Sequence, residues 1–318
     1  MRLSRSFSRI MYFLMLFFIS SLNIVHAEIT ITDSRGEQTF AESPKRVVVL
    51  NWDLLEQLLA LEVTPLAAPN VIGYQQWVVR PTAPDSIEEI GTRSEPNLEK
   101  IAALNPDVII AASPQQDLLP ILESIAPVVY LSNFGKQEDA APVAIKHFKT
   151  LATLFDKEAL ASQKLQQMDT RFTELRQQLE AKFFKYELAK DPVQKLPDVV
   201  VMRFSTPSSV FFYTENSTTQ YVVNKLGLSN PLPFQDQPWG VIQRRINKLQ
   251  YIEDGYVLYI LPFPEEKKLK ESVLWQAMPF VQNKHVHSVR SVWNYGGAMS
   301  LLYMAEAITD SLLEVAPE

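Results

Sequence analysis

Residues 157–185 read KEALASQKLQQMDTRFTELRQQLEAKFFK, with no glycine and no proline. Leu165, Met168, Phe172, Leu175, Leu179 and Phe183 recur at steps of three and four. That spacing puts them on one stripe of an α-helix, with charged and amide side chains on the other faces. At about 1.5 Å per residue the segment predicts an unbroken rod of roughly 40 Å. A coiled-coil seam would use the same stripe, but a single short pattern in a chain of this size is read as packing on its own domains. Lys190–Pro197 reads as the loop that ends the rod.

On either side of the rod the period changes. Ile29–Asp33 alternates like a short strand and is followed by a turn at Ser34-Arg35-Gly36. Arg46–Leu50 is a continuous apolar run, the pattern of a strand buried on both faces. Leu54, Leu55, Leu58, Leu59 and Leu61 return to helical spacing, and Val63–Ala68 reads as the next strand. Leu98–Leu104 is helical and stops at Asn105-Pro106; Val108–Ala111 is a strand, Asp117–Ile125 a short helix and Val128–Leu131 a strand. Strands alternating with helices predict an α/β layer with a parallel sheet.

Beyond the rod a second series begins. Asp198–Met202 is a buried strand, and Thr219–Leu226 is a helix ending at Gly227, a residue suited to a C-terminal cap. Leu54–Thr64 is matched by Thr219–Ser229, and the stretch from Leu98 to Ile109 by that from Ile246 to Leu258. Each member reads helix, turn, strand. The expected fold is therefore α/β, with two similar lobes, each holding a short, mainly parallel sheet and flanking helices, bridged by one long α-helix. The boundaries expected are 1–27 for a signal peptide, 28–145 for the N-terminal lobe, 146–190 for the inter-lobe helical region and 191–318 for the C-terminal lobe.

Arg2, Arg5 and Arg9 precede an apolar run, Ile10–Ile19, and a small-residue exit at Val25-His26-Ala27. This is the layout of a secretory signal peptide; a spanning helix needs about 20 apolar residues. The chain carries 30 basic and 36 acidic residues. Removing the three leader arginines leaves 27 against 36, a net charge of about −9, which argues against a nucleic-acid partner. There is no cysteine, which excludes disulfides, thiol catalysis and a lipid-modified N-terminal cysteine. The mature chain is expected free in the periplasm.

Enzyme signatures are missing: the nine glycines form no G-x-S-x-G, no G-x-G-x-x-G and no phosphate loop. His147 lies in a helical segment. His285 and His287 would share a face of a strand, but a zinc site needs three or four ligands, so they are read as strand-edge histidines. The tryptophans say more. Trp52 follows a buried strand, and ligands of open α/β sheets bind outside the carboxyl ends of strands. Trp239 sits in Gln237-Pro238-Trp239-Gly240, Trp293 in Val292-Trp293-Asn294-Tyr295-Gly296-Gly297, and Trp77 after Gly73-Tyr74-Gln75-Gln76, all read as loops. A loop tryptophan can simply plug a domain edge. Four of them, drawn from both halves, favour a shared aromatic cleft. Arg93, in Gly91-Thr92-Arg93-Ser94-Glu95-Pro96, is either a surface arginine paired with Glu95 or Glu89, or a fork-shaped donor to ligand oxygens in that cleft.

With those segments in view, the chain resembles the periplasmic ferric-siderophore binding proteins, most closely those that take ferric hydroxamates. The resemblance covers nearly all of the mature chain. It is strongest at Gly91–Glu99, at Leu274–Val281 and at Val292–Gly296, and weaker at Tyr74–Val78 and Pro238–Gly240. It implies two lobes on a single long helix, a shallow cleft that changes little on binding, and no enzymatic activity. It implies Arg93 as the donor to iron-ligating oxygens, Tyr295 as a hydroxyl donor from the opposite lobe, and Trp52, Trp77, Trp239 and Trp293 as aromatic walls. Gln237 matches an amide near the ligand, and Trp275 falls outside the set as core. The ligand implied is a ferric siderophore, with no cofactor and no metal held directly by the protein. The partner implied is an inner-membrane ABC permease, served by a monomer. The sequence departs from the pattern twice. Ser113-Pro114-Gln115-Gln116 stands where the family commonly offers a tyrosine, so Gln115 or Gln116 is a candidate replacement. Asn247 stands at an acidic docking position, leaving Glu253 or Asp254 in the second lobe and Asp117 and Glu123 in the first as docking candidates. A carboxylate or catecholate siderophore, haem, a cobalamin-like solute and a periplasmic hydrolase are the alternatives.

Overall fold

Val47–Val49 (β3) is flanked on both sides by parallel strands, which is why its side chains are apolar without alternation. The chain is described by a computed structural model over residues 28–135, 138–187 and 195–317. The expected signal peptide and most of the loop after the rod lie outside the described residues.

The first lobe opens with an antiparallel hairpin of Ile29–Asp33 (β1) and Gly36–Phe40 (β2). Its main sheet has the order β5-β4-β3-β6-β7, where β4 is Ala67–Ala68, β5 Glu88–Glu89, β6 Val108–Ala112 and β7 Val128–Leu131. Every pairing in it is parallel. The strand expected over Val63–Ala68 shrinks to its last two residues. Trp52–Ala60 (α1), Val71–Trp77 (α2), Leu98–Ala103 (α3), Leu119–Glu123 (α4) and Ala140–Leu154 (α5) connect and cover the sheet. The helix expected over Asp117–Ile125 divides into a 3-10 turn, Ser113–Leu118, and α4.

The rod is one helix, Glu158–Glu187 (α6). Met168, Phe172, Leu175, Leu179 and Phe183 are buried along it, as its stripe predicts.

The second lobe orders its sheet β10-β9-β8-β11-β12, with β8 Val199–Thr206, β9 Ser209–Tyr213, β10 Val241–Arg245, β11 Tyr256–Ile260 and β12 Val286–Val289. As in the first lobe, the earliest strand of the main sheet is central. The likeness has a limit: β8/β9 and β9/β10 are antiparallel, so half of this sheet's pairings are not parallel. The reason is local. Thr206-Pro207-Ser208 turns the long β8 straight back as a hairpin, and the strand equivalent to β4 is reduced to an isolated bridge, Asp198 to Ser229. Thr218–Lys225 (α7) is capped at its start by the Ser217 side chain, and Gly227 takes φ +78° just past its end. Glu266–Glu271 (α8), Val273–Gln276 (α9), Pro279–Gln282 (α10) and Ala298–Val315 (α11) complete the lobe.

The lobes share one apolar core. It runs from Leu54 and Leu58 of α1 through Phe172 and Leu175 of α6 to Leu301 and Ile308 of α11. A continuous core resists hinge opening, so the rod acts as a spine rather than a tether. Trp275 is core as expected, 3 % exposed and edge-on to Phe204, Tyr259 and Phe280.

Candidate functional site

In the first lobe's main sheet, each strand delivers a residue to one opening from its carboxyl end. Asn51 follows β3, Asn70 follows β4, Thr92, Arg93 and Ser94 follow β5, Pro114 follows β6 and Phe134 follows β7. The second lobe answers with Pro238, Trp239 and Val241 before and at β10, and with Trp293 and Tyr295 after β12. Together they enclose a cavity of about 570 Å³, within the range of small-molecule sites.

Arg93 is presented by a tight loop. Gly91 has φ +86°, and a Cβ there would lie 2.8 Å from the Glu95 carbonyl. The turn closes with Thr92 N–H to Glu95 O at 3.2 Å and Glu95 N–H to Thr92 Oγ1 at 3.0 Å. Gln115, fully buried, fixes this loop to β6: its Nε2 donates to Arg93 O at 2.6 Å and its Oε1 accepts from Ala112 N–H at 3.0 Å. Gln115 is thus a strut, not a replacement for the missing tyrosine, and Gln116 turns to Tyr130 Oη at 3.5 Å.

The Arg93 guanidinium lies 4.2 Å over the Trp52 ring and 5.6 Å from the Trp293 ring. This is the geometry in which a cation is held by aromatic faces and keeps its donors for a ligand. Glu89 is engaged elsewhere, accepting from Val71 N–H at 2.8 Å. Trp52 is buried, its Nε1–H donating to Pro69 O at 2.9 Å. It forms the floor beneath Arg93 rather than a wall. Burial lowers the Arg93 pKa while nearby Asp53 raises it; the group stays charged.

Across the cleft Trp293, Tyr295, Phe134 and Trp239 form a chain of rings. Trp293 and Tyr295 are 5.6 Å apart, Tyr295 and Phe134 meet edge-on at 5.6 Å, and Phe134 stacks on Trp239 at 5.3 Å. Trp239 N–H donates to Phe134 O at 3.1 Å, so the two lobes touch through backbone at this point. Both residues hold left-handed backbone, φ 57° and φ 65°, a conformation that non-glycine residues keep only where surroundings enforce it. Phe134 is the aromatic site residue that sequence reasoning missed, alongside smaller lining residues such as Asn51 and Asn70. Its position just after β7 was the available signal.

Three expected residues fall outside the cavity lining: Trp52, the floor beneath Arg93, and also Trp77 and Gln237. Trp77 is not on a loop. Asn70 Oδ1 accepts from Gly73 N–H at 3.0 Å and starts helix α2, whose last residue, Trp77, packs against the core. Gln237 borders the opening, but its carbonyl accepts from Asn216 Nδ2 at 3.0 Å and from Gly240 N–H at 3.0 Å, so it shapes the Trp239 loop. His285 stacks on Tyr256 at 4.3 Å, and buried His147 is pulled down to about 4 by desolvation. Among the described residues no three His, Asp or Glu side chains gather as metal ligands.

A family model described as periplasmic binding protein matches residues 47–292. The chain belongs to the periplasmic binding protein family. It is a binding protein and not an enzyme. Among relatives in this family, the iron(3+)-hydroxamate-binding protein FhuD of Escherichia coli is 26 % identical over 277 residues, covering 86 % of this chain and 88 % of that protein. The Fe(3+) dicitrate-binding periplasmic protein FecB of Escherichia coli is 26 % identical over 300 residues, covering 90 % of this chain and 89 % of that protein. A crystal structure of the siderophore binding protein FhuD from Vibrio cholerae, bound to Fe³⁺–Desferal, superposes with a TM-score of 0.82 at 62 % identity, covering 86 % of this chain and 99 % of that one. The two-lobed fold of this periplasmic binding protein is therefore that of a solved siderophore binding protein.

In this cleft Phe134→Ala is expected to weaken ligand binding three- to tenfold, since a lost aromatic contact is worth about 0.5–1.5 kcal/mol beyond its area. Isothermal titration of the variant with a ferric trihydroxamate reads this directly. Unchanged affinity would place Phe134 outside the binding wall.

Proposed function

We propose that this periplasmic protein captures a ferric siderophore of the hydroxamate type and hands it to an inner-membrane ABC permease for iron uptake. One observation carries the reading: a single guanidinium, held on two indoles, in a cavity whose other walls are aromatic, apolar or uncharged polar groups. A siderophore fills the coordination sphere of its iron with its own oxygens, so the receptor supplies no metal ligands. Those oxygens carry partial negative charge and suit Arg93 and the Tyr295 hydroxyl as donors. The linking arms are apolar chains that pack on Trp293, Phe134 and Trp239. The Vibrio cholerae FhuD bound to Fe³⁺–Desferal and the Escherichia coli hydroxamate receptor support the same ligand class. Catecholate complexes are strongly anionic and would call for several cations; among the described lining residues Arg93 alone carries a full charge.

Delivery requires an exposed docking face. Asp117, Glu253 and Asp254 are exposed and remain the candidates; Glu123 is exposed but ion-paired with Arg35. We take the mature chain as a monomer in the periplasm.

The test is a fluorescence titration. Ferric desferrioxamine is expected to quench the tryptophans saturably at one equivalent, with ferric citrate and ferric tris-catecholate competing only at much higher concentration. Tighter binding of the catecholate would overturn the reading.

A further inference from the structure

Glu56 lies one helical turn after the floor residue Trp52 on α1 and is fully buried. Its carboxylate belongs to the first lobe, yet each of its hydrogen bonds in the structure comes from the second. Gly297 N–H donates at 2.9 Å, Ser300 N–H at 2.7 Å and Ser300 Oγ–H at 2.6 Å. These are the unpaired amides at the start of α11, the helix that runs along the spine. A carboxylate there satisfies orphan donors and complements the helix dipole. The approach leaves no slack. A Cβ on Gly296 would lie 2.6 Å from Glu56 Oε2 and 2.0 Å from Ser300 Oγ, and one on Gly297 would lie 2.3 Å from Gln57 Cγ.

The residues pinned this way directly follow Trp293 and Tyr295, and α1 begins with Trp52, on which Arg93 rests. We infer that Glu56 is a positioning residue: it clasps the two lobes at a fixed angle and so sets the spacing between Arg93 on one wall and Tyr295 on the other. The ligand itself does not touch it. This inference rests on the proposed site for its consequence in binding, but the clasp is a property of the fold and can be read without ligand.

The chain has no cysteine, so Glu99→Cys with Lys267→Cys, both exposed and one in each lobe, give a unique pair of spin labels. In the wild-type background the inter-lobe distance distribution is expected to be narrow with or without ferric desferrioxamine. At pH 8, where the wild-type carboxyl is ionised, Glu56→Gln, which loses one acceptor and places an amide N–H₂ against the α11 donors, is expected to broaden it and to weaken ferric desferrioxamine binding about tenfold. Ligand is expected to narrow the variant's distribution again, a change that a merely destabilised lobe would not show. An unchanged distribution and unchanged affinity in Glu56→Gln overturn the clasp. If Glu56→Gln does not fold, Ser300→Ala decides, since it deletes only one donor: broadening with a two- to fivefold loss of affinity supports the clasp, and no change in either overturns it. Failure of the wild-type protein to bind ferric desferrioxamine would sink the proposed ligand and leave the distance test standing.

Discussion

Arg93→Ala is expected to weaken binding of a ferric trihydroxamate by tenfold to a hundredfold. Hydrogen bonds from a charged donor are worth about 1.5–3 kcal/mol, and each 1.4 kcal/mol is about a factor of ten in affinity. The structure explains why the loss should fall on binding rather than on folding. The guanidinium stands at the cavity surface on Trp52 and Trp293, while the loop that carries it is held by backbone bonds and by Gln115. Arg93→Lys is expected to recover only part of the affinity, because an ammonium keeps the charge but loses the planar fork. Titration calorimetry on the three proteins, with melting temperatures as a control, separates these outcomes. Wild-type affinity in Arg93→Ala would remove Arg93 from the site and with it the argument for a weakly charged ligand.

Stability is expected to fall as pH rises from about 4.5 to 7.5, opposite to the usual behaviour of salt-bridged carboxylates. Two fully buried carboxyls cause this, together outweighing buried His147, whose lowered pKa works the other way between about 4 and 6.5. Desolvation raises Asp53 to about 6 and Glu56 to about 7, against the hydrogen bonds from Asn133 and from Gly297 and Ser300 that pull the other way. Below the unfolded values, 3.8 and 4.5, both states hold the proton and the groups contribute no pH dependence. Between those values and about pH 7 the folded form keeps protons that the unfolded chain has released, so each step up in pH favours unfolding. The rise of Glu56 from 4.5 to about 7 corresponds to on the order of 3 kcal/mol. Urea unfolding at pH 5 and pH 7.5 measures the difference, and Glu56→Gln should remove most of it. Equal slopes in wild type and variant would mean that the carboxyl is not held in the charged-averse pocket described here.

How far the site could be read from the sequence depends on the residue. Arg93, Trp239, Trp293 and Tyr295 were legible because each lies in a short, distinctive loop segment, and the structure brings them to one opening. Trp77 was misread because its segment looks like a loop until Asn70 and Glu89 cap it into a helix that aims the indole at the core. Phe134 was passed over because one phenylalanine after a strand carries no motif. Only the opposing Trp239, in another lobe, gives it a role.

By itself the sequence determined the elements: a 3.6-residue stripe makes a rod and an unbroken apolar run makes a buried strand, because both patterns are set by neighbours a few positions apart. It also determined the two-lobed plan, since the same order of patterns occurs twice. Only the tertiary structure decided which groups meet. Glu56 and Ser300 are 244 positions apart and Trp52 and Trp293 sit on different lobes, and no local periodicity encodes a contact at that distance. Such pairs are selected by the packing of whole lobes against a common spine, where burial and unpaired donors leave each side chain one place to go.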